Sequence, residues 1–300
     1  MRILILGGSG MLGHKLLQGL RSEFGDVACT VRAPRSSRLS RLPLFAGEHV
    51  AWGVEATDWR SVEAVIRSRR PDVVINALGV IKQRETAKDA VPSIQVNALL
   101  PHQVAALVAE WGGRLIHFST DCVFSGQRGR YREEDVPDAT DIYGRSKLLG
   151  EVTGAGNAIT IRTSMIGREL SHHHSLLDWF LAQDGRTVNG YRRVIYSGLT
   201  TLELTRITAM LITRFPDLHG LYQVTAPAIS KHDLLSLVAD AFTVRVDMTP
   251  ADEPFCDRSL IGERFAAATG YVSPPWPRLI ADLAADPTPY PQWLELLNHD

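Results

Sequence analysis

Cysteine is scarce. Cys29, Cys122 and Cys256 are the 3 cysteines in 300 residues, odd in number, far apart and without a CxxC pair, which excludes a disulfide framework and a zinc ribbon. Charge of one sign is missing too: 32 Lys and Arg stand against 33 Asp and Glu, a formal net charge of −1. No global basic field is therefore available to hold nucleic acid or anionic lipid. No apolar run approaches the roughly 20 residues that span a bilayer; the best, Val73 to Ile81, is interrupted by Asn76. The opening Met1-Arg2-Ile3-Leu4-Ile5-Leu6 moves straight into Gly-rich sequence, without the long h-region and cleavage site of a secretory signal. What is present is the balance of a folded chain, 45% apolar and 22% charged. The expectation is a cytoplasmic globular protein with neither nucleic acid nor membrane as partner.

The first 160 or so residues alternate short β-branched runs with amphipathic stretches. Strands are expected at 2–6, 27–32, 50–52, 72–76, 114–118 and 158–162, and helices at 11–20, 61–69, 101–111 and 143–152. Strands that are apolar throughout, separated by helical periods, imply a parallel sheet covered on both faces, a doubly wound α/β fold of Rossmann type. Beyond Arg162 the rhythm breaks. Residues 176–183, 203–215, 231–242 and 259–270 read as helices, 220–224 as a strand, and the remainder of 168–195 as a Gly/Arg-rich loop. Pro274-Pro275-Trp276-Pro277, Pro287, Pro289 and Pro291 read as turns packed on a surface. The expected organisation is a cofactor-binding domain over 1–165, rejoined by about 196–225. A smaller C-terminal substrate-binding lobe is expected from 166–195 and 226–300.

Gly7-Gly8-Ser9-Gly10-Met11-Leu12-Gly13 follows the first strand and opens a helix. Gly7, Gly10 and Gly13 permit in turn a tight turn, close backbone approach to a pyrophosphate and close helix–strand packing. The helix N-terminus offers free N–H groups and a positive dipole end to phosphate. Where an NAD site usually carries Asp or Glu for the ribose 2′-hydroxyl, this chain has Arg32, followed by Arg35, Arg38 and Arg41. A guanidinium suits a 2′-phosphate, which makes NADPH the expected cofactor ahead of NADH.

Tyr143 and Lys147 stand four apart on one helix face. An ammonium beside a phenol favours phenolate and should bring the tyrosine pKa down from about 10. Tyr143 then donates a proton to a carbonyl oxygen, and Lys147 also reaches the nicotinamide ribose. Thr120, in Ser119-Thr120-Asp121-Cys122 at a strand end, can hydrogen-bond the same carbonyl.

These features together resemble an extended short-chain dehydrogenase/reductase, and most of all the dTDP-4-dehydrorhamnose reductase family. The stretches that carry the resemblance are GGSGMLG (7–13), RPDVVINALG (70–79), VNALLP (96–101), STDCVFSG (119–126), YREEDVPDATDIYGRSKLLGE (131–151) and IRTSMIG (161–167), with looser matches in SGLTTLEL (197–204) and GLYQVT (220–225). The resemblance implies catalytic Thr120, Tyr143 and Lys147, with Gly7, Gly10, Met11, Leu12 and Arg32 on the cofactor. It places Glu55 and Ala56 near the adenine, Ala77, Leu78 and Gly79 near the ribose and phosphates, and Thr163 and Ser164 beside the nicotinamide. Thr120, Asp121 and Cys122 would meet the substrate, although family reductases often have Tyr where this chain has Cys122.

Arg193 and Arg258, with Arg192, are candidates to pair a sugar-nucleotide diphosphate, against the alternative of surface salt bridges. Trp179 and Phe180 read as core, and Asn76 and Asn97 as residues that satisfy backbone. No metal site is expected; His172, His173 and His174 lie near the substrate mouth. The function implied is NADPH-dependent reduction of a nucleotide-linked 4-keto-6-deoxyhexose for surface polysaccharide, with the nucleotide sugar as partner and a homodimer left open. Two alternatives use the same scaffold. One is an epimerase–reductase resembling GDP-fucose synthase, with Cys122 moving ring protons; the other is a non-catalytic NADP-holding regulatory subunit.

Overall fold

Short aliphatic runs buried on both faces build the central sheet. The structure, a computed structural model, describes residues 1–80, 89–171 and 175–298. Strands β1 (Arg2–Leu6), β2 (Asp26–Val31), β3 (Val50–Trp52), β4 (Val73–Asn76), β5 (Arg114–Thr120) and β6 (Ala158–Thr163) fall within a few residues of their expected bounds. Between them run helices α1 (Met11–Glu23), α2 (Trp59–Arg69), α3 (Ala90–Ser93), α4 (Leu100–Ala109) and α5 (Ile142–Leu149), with a π-helical segment, Ile94–Leu99, joining α3 to α4.

The later elements are β7 (Met165–Ile166), α6 (Leu176–Leu181), β8 (Thr187–Tyr191), β9 (Val194–Tyr196), β10 (Leu199–Thr200), α7 (Thr201–Thr213) and β11 (Gly220–Gln223). They continue as β12 (Ile229–Ser230), α8 (Lys231–Phe242), β13 (Asp247–Ala251), β14 (Cys256–Asp257), α9 (Glu263–Thr269), α10 (Trp276–Ala284) and α11 (Tyr290–Asn298).

The main sheet has seven strands in the order β11-β6-β5-β4-β1-β2-β3, and every adjacent pair is parallel. Strand order reverses between β1 and β4, the switch point at whose carboxyl ends open α/β sheets bind ligands. Apolar clusters on the two faces, one around Ile5, Leu16 and Ile116 and the other around Leu4, Val74 and Val104, sandwich it between helices.

Three readings of the C-terminal third need correction. The Gly/Arg-rich loop is β8 and β9: β8 pairs with β13, and β9 sits between β12 and β14. The proline-rich tail is two helices. Pro275 is the N-cap of α10 and Pro277 lies in its first turn, positions where a missing N–H costs nothing. Trp276, Leu279, Ile280 and Leu283 are buried by that helix, as Tyr290 and Trp293 are by α11. Finally, Phe180 is buried as expected but Trp179 is 39% exposed, so it is a surface residue.

Helix α1 buries two polar side chains, His14 and Lys15, and the tail supplies their partners. Lys15 Nζ pairs with Asp286 at 2.8 Å, both ends about 5% exposed. His14 Nδ1 lies 2.9 Å from the Gly10 carbonyl, which can only accept, so Nδ1 carries the proton and Nε2 accepts from the Tyr290 hydroxyl at 2.8 Å. Burial lowers the His14 pKa from 6.5 to about 4. Between those two values the unfolded chain takes up a proton that the folded chain refuses, so stability falls as the pH drops through that window. In denaturation curves measured from about pH 7 down to about pH 4, wild type should lose on the order of 3 kcal/mol more than His14→Gln. Parallel losses in the two proteins would contradict this.

Candidate active site

A cleft of about 530 Å³ opens at the switch point, within the range of small-molecule sites. Four strand ends line it: Gly10, Met11 and Leu12 after β1, Ala77, Leu78 and Gly79 after β4, Thr120, Asp121 and Cys122 at β5, and Thr163 and Ser164 at β6. Arg32, just past β2, and Leu39 complete one wall, and Tyr143 and Lys147 of α5 another.

The glycine loop is packed as its spacing predicts. Gly7, at φ +89°, makes the turn, and a Cβ on Gly13 would lie 2.0 Å from the Gly7 carbonyl oxygen. Only glycine lets α1 start that close to β1. Gly10 caps α1 without a side-chain acceptor, which leaves the first-turn N–H groups to an anion. Asn76 Oδ1 accepts from Leu78 N–H, and Asn97 exchanges hydrogen bonds with both backbone groups of Val80, so both asparagines satisfy backbone.

Helix α5 is capped by Asp141, which accepts from Gly144 N–H at 2.9 Å. A Cβ on Gly144 would meet the Cys122 carbonyl oxygen at 2.2 Å, so this glycine brings the helix against the end of β5. Tyr143 and Thr120 thereby line the same cleft. Thr120 Oγ1 donates to Asp121 Oδ1 and accepts from Cys122 N–H, each at 3.1 Å.

The expected effect of Lys147 on Tyr143 is corrected by the geometry. Lys147 Nζ donates to the Phe118 carbonyl at 2.6 Å, and the phenol is pushed well above its usual range by burial, with Cys122 and Asp121 adding to the effect. Burial lowers Lys147 to about 8, opposed by Glu151, and raises Asp121 against the pull of Arg258. The arrangement can therefore present a protonated phenol and a hydroxyl to one acceptor, with a cation close to neutrality nearby.

Glu151, whose role was not read from the sequence, organises the floor of this site. Its carboxylate forms a two-pronged pair with Arg162, both bonds 2.7 Å, and accepts from Ser119 Oγ at 2.7 Å. Both ionic side chains are almost wholly buried. The signal was an acidic residue four positions after Lys147; its partners lie on β5 and β6.

Other expected site residues fall elsewhere. Glu55 and Ala56 are not among the residues lining the cleft. Arg193 is exposed, facing Glu253 at 3.5 Å and the Phe255 ring at 4.9 Å, and Arg192 pairs with Asp252. Arg258 donates to the Phe124 and Ser125 carbonyls and so braces the loop behind Asp121 from outside the cleft lining. Among the described residues no group of three or more His, Cys, Asp or Glu is placed to hold a metal ion; His172, His173 and His174 lie outside the described residues. No helix among the described residues is long and apolar enough to cross a membrane.

Residues 1–252 match the model of the RmlD substrate binding domain. The chain belongs to that family. It is 25% identical over 249 residues to the dTDP-4-dehydrorhamnose reductase of Salmonella typhimurium, covering 80% of this chain and 78% of that one. It is 31% identical over 153 residues to methionine adenosyltransferase 2 subunit beta of Bos taurus, where it spans 50% of this chain but only 41% of that subunit. Among solved structures, a dTDP-4-dehydrorhamnose reductase of Bacillus anthracis in complex with NADP superposes with a TM-score of 0.78 at 20% identity, covering 95% of this chain and 99% of that one. A hypothetical dTDP-4-dehydrorhamnose reductase of Sulfolobus tokodaii superposes at 0.73 with 25% identity, over 92% and 98%. These structures share the doubly wound fold with this chain.

Breaking the Glu151 pair leaves the Arg162 guanidinium buried without a counter-charge. Glu151→Gln should cost about 3–5 kcal/mol in urea unfolding, whereas Ser119→Ala, which removes one neutral donor, should cost about 1 kcal/mol. Equal small losses in both would contradict the role given to the carboxylate.

Proposed function

We propose that the protein is an NADPH-dependent oxidoreductase that reduces the 4-keto group of a nucleotide-linked deoxyhexose. One observation carries this reading: Tyr143, Thr120 and Lys147 share a single cleft with the glycine loop and Arg32. The cleft residues fit the cofactor. The uncapped start of α1 suits a pyrophosphate, and Arg32 lines the cleft at the end of β2 where a 2′-phosphate would need a cation. Gly7, Gly10, Met11, Leu12 and Arg32 would hold the adenosine and phosphates, Ala77 to Gly79 the neighbouring ribose, and Thr163 and Ser164 the nicotinamide. Glu55 and Ala56 would stand further out toward the adenine.

Bound there, the reduced nicotinamide supplies the hydrogen and electron pair that the ketone carbon takes up. The protein supplies the proton. Tyr143, kept protonated by burial, donates its phenolic hydrogen to the carbonyl oxygen as charge develops there. Thr120 orients that oxygen by a second hydrogen bond. Lys147, with its pKa at about 8, places a positive charge where the phenolate forms and so eases the transfer. Asp121 and Cys122 face the substrate, whereas Arg193, on Glu253, and Arg258, on the Phe124 and Ser125 carbonyls, would have to leave those partners to pair a diphosphate.

In this reading residues 1–165 with 196–225 bind the cofactor, and 166–195 with 226–300 receive the nucleotide sugar. The exposed apolar side chains Val91, Ile94, Leu99 and Leu149, on neighbouring helices, support a second copy of the chain as a further partner, which equilibrium sedimentation tests.

A panel of 4-keto sugar nucleotides should support NADPH oxidation, with kcat reduced about 10²–10⁴-fold in Tyr143→Phe. NADPH binding without turnover of any member would contradict the reductase reading and favour a regulatory subunit. Deuterium from heavy water at a ring carbon, lost in Cys122→Ser, would contradict simple reduction and mark an epimerase.

A further inference from the structure

The tail after the family-matched residues, which end at 252, returns to the cofactor half at three points. Asp286 pairs with Lys15, and the Tyr290 hydroxyl reaches His14, whose other ring nitrogen holds the Gly10 carbonyl at the start of α1. The third point is the end of α11. Arg38 Nη1 donates to the Leu297 carbonyl at 3.1 Å and to that of Asn298 at 3.5 Å, and Arg41 Nη1 to that of Leu296 at 3.4 Å. These are the carbonyls that a helix leaves without internal partners, at the negative end of its dipole. Between the two arginines sits Leu39, in the short 3₁₀ turn Arg38–Arg41, and Leu39 lines the cleft. Leu39 and Leu297 both pack against the same apolar core.

We propose that α11 is a positioning element of the cofactor site: its carboxyl end grips Arg38 and Arg41 and so holds the wall carrying Leu39 beside Arg32. This inference rests on the cofactor reading given above. Of the arginine run, Arg32 lines the cleft, whereas Arg38 and Arg41 are engaged by the helix end. Of these three arginines, one lines the cleft and two brace the loop that follows it. A wall that is ordered only part of the time weakens a ligand by the fraction of time it is formed. Loosening α11 should therefore raise the dissociation constant for NADPH without altering the chemistry at Tyr143.

The test is Leu297→Asp in the full chain, which puts a charge where α11 meets the core and leaves every arginine in place. The NADPH dissociation constant, read by nicotinamide fluorescence, should rise about tenfold. KM for NADPH should follow while kcat at saturating cofactor stays within about twofold, and Leu297→Met should restore wild-type values. Hydrogen exchange of residues 37–42 should quicken in the variant and slow again when NADPH is added. Tyr290→Phe, which removes only the hydroxyl on His14, gives a second and milder handle on the same strap. Should wild type bind NADPH and Leu297→Asp bind it equally or more tightly, α11 does not hold the cofactor wall and the proposal is wrong. Should wild type fail to bind NADPH, the cofactor reading itself fails, and this inference with it.

Discussion

The site depends on one buried carboxylate. Glu151 ends the run that begins at Tyr143, Arg162 precedes Thr163 on β6, and Ser119 precedes Thr120 on β5. Three hydrogen bonds to a single side chain, two residues past the end of α5, therefore register that helix against the two strand ends that face it. A charge pair buried this deeply adds little net stability compared with an apolar filling, because desolvation offsets most of the attraction. What it supplies is geometry. Removing either partner strands the other charge, so the arrangement resists sliding by even one residue.

Burial also sets the protonation states above that floor. It pushes the Tyr143 phenol and the Asp121 carboxyl up and pulls Lys147 down to about 8. Each shift has the same origin, the cost of an isolated charge in a site closed on several sides by strand ends. A reductase needs a protonated donor at the carbonyl, and a buried phenol meets that need without help from the lysine. The ammonium donates to the Phe118 carbonyl and has most to do once negative charge appears on the tyrosine.

The Rossmann half was legible because its strands are buried on both faces. A run such as Val73–Asn76 carries no solvent-facing residue to blur the pattern, and each helix between strands shows its period. The glycine spacing and the Tyr143–Lys147 interval were legible for the same reason, since each is a local constraint written in consecutive residues. The C-terminal third was not. Strands β9, β12 and β14 hold two or three residues each, and β8 finds its partner β13 far along the chain. Pro275 and Pro277 looked like breakers when they are the opening of α10. The direction of the Tyr143 shift was missed because helix spacing gives proximity to Lys147 but says nothing of where its ammonium turns. Glu151 is plain in the sequence, yet its partners on β5 and β6 are brought to it only by the fold.

In the proposed reading one cleft holds a dinucleotide against Tyr143 and Thr120, and a crystal structure with NADP⁺ would show it. The pyrophosphate should lie on the N–H groups at Gly10 to Leu12, the 2′-phosphate on Arg32, and the nicotinamide between Ser164 and Tyr143. A dinucleotide lying elsewhere, or one in this cleft with its nicotinamide turned away from Tyr143, would contradict it.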